Sequence, residues 1–483
     1  MLAMVESNTT GTGRKFAVAA RARGLRPVLL SSRPERYPWV TEDDVDVARA
    51  DTTDPASVGN VARAAVGGGS RRPGRGDTPR PPGGGADLAG IVTSSEYFVA
   101  VAARAAVRLG LPGPDPGAVE RCRDKRRQRA ALAGAGVAVP AHFAAATPEE
   151  AAAAAVEIGF PVVVKPVDGT GSRGVRLCSD RAEVRDHTAG LLSRRHDERG
   201  RPTIGAVLVE EYVPGREFSV ETFGVEVVGI TAKHLGPAPW FVEYGHDFPA
   251  DPAPAAMDPF LTATGCGEGP YRALSATGCA EAGLTGRARE ASGPVGNLAV
   301  AAVGALGLGF GPAHTEIRLG PRGPVVIEVN PRLAGGRIPT LVRLATGLDL
   351  IGATVDVAIG EAAPLPRPGP GHASIRFLVA PQAGRVRRTG GVAAAAAVPG
   401  VVDVAIAARP GQRVGGTGSF LDRVGHVIAA APTAPAARSA AEAALSLLEL
   451  DVDDVISADG SLRQPAFDSR RIPVTERQNE VVG

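Results

Sequence analysis

The stretch HTEIRLGPRGPVVIEVN, residues 314–330, brings two glutamates and an asparagine within reach of one another. Read as a hairpin with a three-residue loop at Pro321, Arg322 and Gly323, it sets Glu316 opposite Glu328 and Arg318 opposite Val326. Side chains alternate along a strand, so His314, Glu316, Glu328 and Asn330 share one face and Ile317, Leu319, Val325, Ile327 and Val329 the other. Two carboxylates facing each other repel, and burial is expected to raise the pKa of one of them. A divalent cation removes that conflict. An all-oxygen set of two Glu and an Asn suits Mg²⁺, or Mn²⁺, held jointly with substrate phosphates. Arg332, two residues further on, is placed to stabilise the charge of a transferring phosphoryl group. The alternative is a solvent-exposed hairpin on which Arg318 balances Glu316. It is weakened by the run VVIEVNPRLAGG, where polar residues interrupt an otherwise apolar strand.

A second chemical feature is GTGSRG, Gly169 to Gly174, with Lys165 just before it in GFPVVVKP. A dinucleotide fingerprint needs a helix after its glycines, whereas here a strand-like VRLC follows. A glycine loop between two strands is the type that covers phosphates, because backbone N–H groups approach where no side chain intervenes. Lys165 is a suitable cation for the α and β phosphates. Taken alone, the same residues are equally compatible with a loose hairpin and an edge lysine. Gly11 and Gly13 are read as a structural turn, since no acid ends the next strand, RPVLLSS, to hold a ribose.

These residues need a scaffold. At 483 residues the chain is long enough for about three domains. Its 44% hydrophobic and 22% charged content is that of a globular protein. A net charge of +2, with no basic stripe interleaved with aromatics, gives no support for a nucleic-acid surface. No stretch reaches the length of a membrane span, and the opening MLAMVESNTTGTG lacks a basic segment followed by a long apolar run, so the expected location is cytoplasmic. Cys122, Cys178, Cys266 and Cys279 form no C-x-x-C pair and read as reduced, mostly buried thiols.

Along the chain, Leu2 to Val5, a helix from Lys15 to Arg23 and a strand from Arg26 open a doubly wound sheet. The Gly/Pro/Arg-rich segment 67–85 reads as a flexible insertion. LAGIVTSS and YFVAVAARAAVRLG continue the sheet. Val119 to Ala135 reads as one helix, Gly159 to Pro166 as a strand, and AVLVEEYV and REFSVETFGVEVVGITAKH as antiparallel strands. The elements of 245–294 are not legible. NLAVAAVGALGL reads as a buried helix and IPTLVRLATGLDLIGATVDVAIG as one or two more. After a Pro/Gly break at Pro364, short strands lead to an amphipathic helix near Ala436 to Leu448, and the tail 470–483 reads as frayed.

Together, FPVVVKPVDGTGSRGV, VLVEEYVPGREFSVETF and the HTEIRL and VVIEVNPRLAGG strands resemble the ATP-grasp superfamily over roughly Asp124 to Gly360. The likeness is greatest to L-amino-acid ligases and more distant to biotin carboxylase and carbamoyl-phosphate synthetase. The resemblance implies an α/β ATP-grasp fold. Residues 1–118 form an N-terminal doubly wound domain, 119–361 the ATP-grasp domain with a mobile lid at about 130–209 and a central mixed-sheet core, and 362–469 a β-rich C-terminal domain. It further implies ATP binding by Lys125, Lys165, the loop residues Gly169, Thr170, Gly171, Ser172 and Gly174, and the hinge Glu210, Glu211, Tyr212 and Val213. In that hinge Glu210 points toward the adenine amino group, and the backbone of Glu211 and Val213 completes the contact. Glu217 is a candidate for the ribose.

On the same resemblance Glu316, Glu328 and Asn330 are metal ligands, Arg332 steadies an acyl phosphate and Arg337 contacts the carboxylate substrate; Arg337 reads as well as a surface arginine. Trp240, Glu243 and His246 line the substrate pocket or belong to the core. The implied activity joins a small-molecule carboxylate to an amine, an amino acid among them, through an acyl phosphate, with release of ADP and phosphate. A homodimer is left open. The rivals are a bicarbonate-phosphorylating enzyme, for which the chain has no biotinyl-lysine sequence or glutaminase nucleophile, and a nucleotide-binding protein without turnover.

Overall fold

A computed structural model describes residues 1–8, 12–67, 87–252, 286–363, 369 and 371–453. Gly11, most of the insertion 67–85, the greater part of 245–294, the break at Pro364, the tail 470–483, Cys266 and Cys279 lie outside them. Among the described residues the strands form four sheets.

The first is parallel, with order β3-β2-β1-β4, from β1 (Leu2–Val5), β2 (Pro27–Ser31), β3 (Asp46–Arg49) and β4 (Gly90–Val92). β1 and β2 are buried along their whole length, as continuous apolar strands covered on both faces must be. At the carboxyl end of β1 the Glu6 side chain accepts hydrogen bonds from Ser31, Tyr37 and Thr52, each 2.8 Å long. These bonds tie the end of β1 to β2 and the segments after it, while Asn8, Thr93 and Ser94, beyond the carboxyl ends of β1 and β4, line the cavity described below.

The segment from Val119 to Ala135, expected as one helix, is two: Pro116–Arg123 and Lys125–Gly134. Asp124 breaks it. In extended conformation, its carboxylate accepts from Arg126 N at 3.0 Å and so caps the second helix. The break also frees the N–H of Lys125 to donate to Val167 O at 2.9 Å, tying this helix start to the strand that precedes the glycine loop.

The lid sheet, order β5-β8-β6-β7, is built from β5 (His142–Ala145), β6 (Val162–Pro166), β7 (Arg176–Cys178) and β8 (Val207–Glu211). β6 begins three residues later than Gly159, and its pairing with β7 is antiparallel, so the glycine loop does join two strands. Helices Pro148–Ile158 and Arg181–Leu192 pack against each other and the sheet.

The third sheet has order β13-β12-β9-β10-β11-β14-β18-β16, every neighbouring pair antiparallel. It joins β9 (Arg216–Phe223), β10 (Glu226–Leu235), β11 (Glu243–Phe248), β12 (Pro312–Gly320), β13 (Gly323–Asn330) and β14 (His372–Val379) to β16 (Val401–Ile406) and β18 (Arg423–Ala431). Parallel and antiparallel pairing thus occur in different sheets. β15 (Gly384–Gly390), β17 (Arg413–Val414) and β19 (Glu449–Val452) form the small fourth sheet. Because β14 pairs with β11, the central sheet runs without interruption past residue 362. On one face Phe218, Val220, Ile230, Ile317 and Val329 bury against Val295, Ala299 and Val303 of helix Gly286–Leu306. Full burial of each such Val, Ile or Phe side chain contributes about 1.5 to 3 kcal/mol. Glu217, Lys233, His314, Glu316 and Glu328 line the cavity on the opposite side.

Candidate active site

The register of the β12–β13 hairpin positions the site. Glu316 is paired with Glu328 and His314 with Asn330, as the spacing predicts. The route differs. The turn has two residues, Pro321 and Arg322, between Gly320 and Gly323, so Arg318 faces Val325 rather than Val326, and a bulge at Ile327 restores the register. The groups left by the bulge find other partners: Val326 N donates to Ala138 O at 2.9 Å, and the Arg129 guanidinium donates to Ile327 O. In consequence Val326 joins the apolar core, while Ile327, expected there, lines the cavity.

That cavity is about 650 Å³ and is walled by all three main sheets. The expected repulsion between Glu316 and Glu328 is absent, because each has its own cation. Lys233 Nζ lies 2.9 Å from Glu316 Oε1, and Lys125 Nζ 2.9 Å from Glu328 Oε1. Burial alone would raise the Glu316 pKa, but Lys233 and His314 hold it well below the usual carboxylate range, which corrects the expectation of a raised value. Lys233 also meets Glu217 at 2.6 Å and Glu243 at 2.9 Å. Against the cost of burial, these three carboxylates keep its ammonium well above the ordinary lysine value.

The nucleotide candidates converge, with partners of their own. Lys125 Nζ donates to Gly169 O at 2.7 Å, holding the glycine loop down over the carboxylate face. Gly171 and Gly174 have φ of +66° and +72°, and Ser172 shares that left-handed region at +58°. Lys165 Nζ is 2.5 Å from Glu210 Oε2, whose other oxygen is 2.6 Å from Arg129 Nε. Burial pushes the Lys165 ammonium below its ordinary pKa, while Arg129 and Lys165 overcome burial to bring Glu210 down to about 2. The Glu210 carboxylate therefore faces two cations, a correction to the expectation that it points toward an adenine amino group. Glu211 N donates to Ala141 O at 2.8 Å, and Arg318 Nη1 to Val213 O at 2.8 Å. Tyr212 stacks on Phe241 with centroids 6.3 Å apart, and Arg318 lies 5.3 Å from the Tyr212 ring. These rings and Val213 form the apolar slot at this end of the cavity. Glu217, the ribose candidate, is bound by Lys233 and by Arg318 Nε at 3.0 Å.

Two residues with open readings, Arg337 and Trp240, lie outside the cavity lining. Arg337 does not line the cavity; its Nη1 pairs with Asp403 at 3.0 Å. The reason is local: Arg337 sits at φ +61° as the residue before helix Ile338–Thr346, which directs its side chain to the C-terminal strands. Trp240 is likewise outside the cavity, edge-on to His187 and beneath Arg176 of the lid. Glu243 and His246 do line it.

Glu96, which follows β4, is the main group that sequence reasoning missed. It is buried and takes Arg332 Nε on one oxygen and Arg123 Nη1, at 2.6 Å, on the other. Burial would raise its pKa, but Arg332, Arg123 and Lys125 lower it to about 2. The Asn330 amide, oriented by its neighbours, donates from nitrogen to both Glu96 oxygens at 3.0 and 3.2 Å. A lone Glu in SSEYF carries no local signal; its role arises from a contact 236 residues away.

The donor chemistry fits a nucleoside triphosphate with a divalent cation. Among the described residues no cluster of three or more His, Cys, Asp or Glu side chains could hold a metal on its own. Two carboxylates and an amide on adjacent strands suit a hard cation that completes its shell with phosphate oxygens and water. Lys125, Lys165 and Arg332, each paired with a carboxylate, are cations of the kind that polyphosphate would require.

Residues 158–241 match the ATP-grasp domain family, and residues 376–453 match domain 2 of the L-amino acid ligase C-terminal region. The chain is 36% identical over 446 residues to the uncharacterized protein y4rH of Sinorhizobium fredii, covering 92% of this chain and 82% of that one. It is 30% identical to carnosine synthase 1 of Gallus gallus over 60% of this chain, but spans only 29% of that protein. The crystal structure of an L-amino acid ligase from Bacillus licheniformis superposes with a TM-score of 0.67 at 20% identity, covering 94% of this chain and 98% of that one. The fold and the two domain matches define an ATP-grasp protein. The chain belongs to the ATP-grasp superfamily as one of its ligases, with a C-terminal module of the L-amino-acid ligase type. No described helix is long and apolar enough to cross a membrane.

Proposed function

We propose that the protein is an ATP-dependent carboxylate-amine ligase that works through an acyl phosphate and takes an amino acid as one substrate. The observation that carries this reading is the Glu316–Glu328 pair, facing each other under the glycine loop with Lys125, Lys233 and Arg332 around it. ATP binds with its base toward Tyr212, Val213 and Phe241 and its phosphates toward Lys125, Lys165 and Gly169 to Gly174. Glu316, Glu328 and Asn330 would hold a divalent cation, Mg²⁺ or Mn²⁺, which would supply neutralisation of the phosphate charge. A carboxylate oxygen of the first substrate attacks the γ-phosphorus, and the bond to the β-phosphate oxygen breaks to release ADP. The amine nitrogen of the second substrate then attacks the acyl carbon, and phosphate and a proton leave as the amide forms.

No side chain becomes covalently attached. Lys125, Lys165 and Arg332 hold the transferring group, and the lowered glycine loop excludes the water that would hydrolyse the intermediate. The testing experiment is ADP release across a matrix of amino-acid pairs, with the products identified by mass spectrometry. An amide product with one ADP and one phosphate supports the reading. AMP and pyrophosphate as stoichiometric products contradict it.

A further inference from the structure

Beyond the phosphoryl end, the cavity has a second charged end supplied partly by β18, far along the chain from the grasp strands. Arg423, the first residue of β18, lines the cavity with its side chain 14% exposed. Its guanidinium lies over the Phe377 ring, 4.4 Å from the centroid. Among the described residues it has one hydrogen-bond partner, Glu243, whose Oε2 accepts from Nη1 at 2.9 Å. Guanidinium has five N–H donors in a flat fork suited to a carboxylate. Most of the fork therefore remains for a ligand, in a plane set by Phe377.

Two neighbours make this a built site. His246 is 1% exposed, lines the cavity beside Gly336, and its Nδ1 has no partner, while Nε2 lies 3.2 Å from Glu243 Oε2. Glu243 joins the two ends of the cavity: Oε2 meets Arg423, and Oε1 meets Lys233, which meets Glu316. A carboxylate undergoing phosphorylation must sit at the Glu316–Glu328 end, so an anion at Arg423 belongs to a different group.

We propose that Arg423 binds the unreacting carboxylate of the amine substrate, with Glu243 beside it to attract the incoming ammonium, which gives up a proton to solvent before its nitrogen attacks, and so restricts that substrate to amino acids over simple amines. This rests on the ligase reading above. The C-terminal module then acts as a wall of the site that decides which amine is accepted. A guanidinium fork rejects the corresponding amide because it offers no second anionic oxygen and presents N–H groups to N–H groups.

The experiment uses the full chain and the proteinogenic L-amino acids as amine substrates, each as free acid and as amide. The readouts are KM and product mass. The wild type is expected to prefer the free acids, and Arg423→Met to raise KM for the preferred acid by roughly 100-fold, the loss expected when a charged hydrogen bond is removed, so that acid and amide are no longer distinguished. Arg423→Met leaves Glu243 paired with Lys233 and His246. Should it nevertheless fail to fold, Arg423→Lys, which keeps the charge but not the fork, is expected to lose about tenfold of the preference. A preference for the acid that survives in the variant, or a wild type that uses acid and amide equally, overturns the proposal. If the wild type releases ADP with no pair, the ligase reading fails. Titration of the same acid and amide pairs against wild type and variant, with a non-hydrolysable ATP analogue, then decides for Arg423: acid binding lost in the variant upholds its role, and equal binding overturns it.

Discussion

Glu316 and Glu328 face each other across the β12–β13 ladder, yet each is bound to a different lysine at the same 2.9 Å, Lys233 on one side and Lys125 on the other. Each carboxylate thus has a cationic partner within the protein, and on the proposed reading a polyphosphate and its cation would have to exchange with these partners. Glu328 would help hold the cation and Lys125 would then be released toward phosphate; because Lys125 also donates to Gly169 O, such an exchange would be felt by the glycine loop.

The first prediction concerns stability. Simple repulsion across the ladder would make Glu328→Gln neutral or stabilising. The pairing with Lys125, whose side chain is 6% exposed, predicts the opposite. Loss of the anion should destabilise the unliganded protein by about 1 to 3 kcal/mol. Urea denaturation of wild type and variant measures it; an unchanged or higher midpoint would show that repulsion dominates.

A second prediction follows from Glu210, whose pKa is lowered from 4.5 to about 2 by Arg129 and Lys165 against the effect of burial. A depressed acid contributes stability that is present above its unfolded pKa and lost as pH falls through the folded one. The contribution is about 3 kcal/mol at neutral pH, lost progressively between about pH 5 and 2. Glu210→Gln should be less stable than wild type at pH 7, with the difference narrowing as the pH is lowered. A difference constant with pH would contradict this.

A third concerns loop closure. A Cβ at Gly171 would lie 2.5 Å from Phe420 Cδ1, at a φ of +66° that disfavours any side chain. Gly171→Ala should lift the loop and raise KM for ATP about tenfold, from strain of the order of 1 kcal/mol. Adding Phe420→Ala should recover part of the loss, because it removes the clash but not the φ cost. Hydrogen exchange over residues 169–174, slowed by an ATP analogue with Mg²⁺ in wild type, should respond less in Gly171→Ala; an identical response would separate the loop from the phosphates.

Glu96 gives a fourth. Glu96→Gln keeps the shape but loosens Arg332 and Arg123, so turnover should fall by roughly 10- to 100-fold while KM for ATP changes little, the pattern of an interaction expressed in the transition state. A rise in KM for ATP at unchanged turnover would instead make Glu96 part of nucleotide binding.

What the sequence could and could not reveal follows from the range of each interaction. The Glu316–Glu328 pairing and the strand-loop-strand at Gly169 depend on neighbours within one hairpin, and period-two alternation exposes them. The bulge at Ile327 was invisible, because it depends on Ala138 and Arg129 from another part of the chain. The same distance hid Glu96 beside Arg332 and Arg423 beside Glu243. Arg337 had two equal readings from its sequence, and a left-handed backbone angle together with the pairing to Asp403 favours the surface one. The break at Asp124 was readable in principle, since an Asp before a basic helical run is a strong cap.

The most direct test of the carboxylate face is ADP release by Glu328→Gln at saturating Mg²⁺, with any amino-acid pair that the wild type joins. If Glu316, Glu328 and Asn330 hold the cation that phosphoryl transfer needs, turnover falls by orders of magnitude while the variant stays folded by circular dichroism. Near-normal ADP release would mean that phosphoryl transfer takes place elsewhere, and the assignment of this face would be wrong.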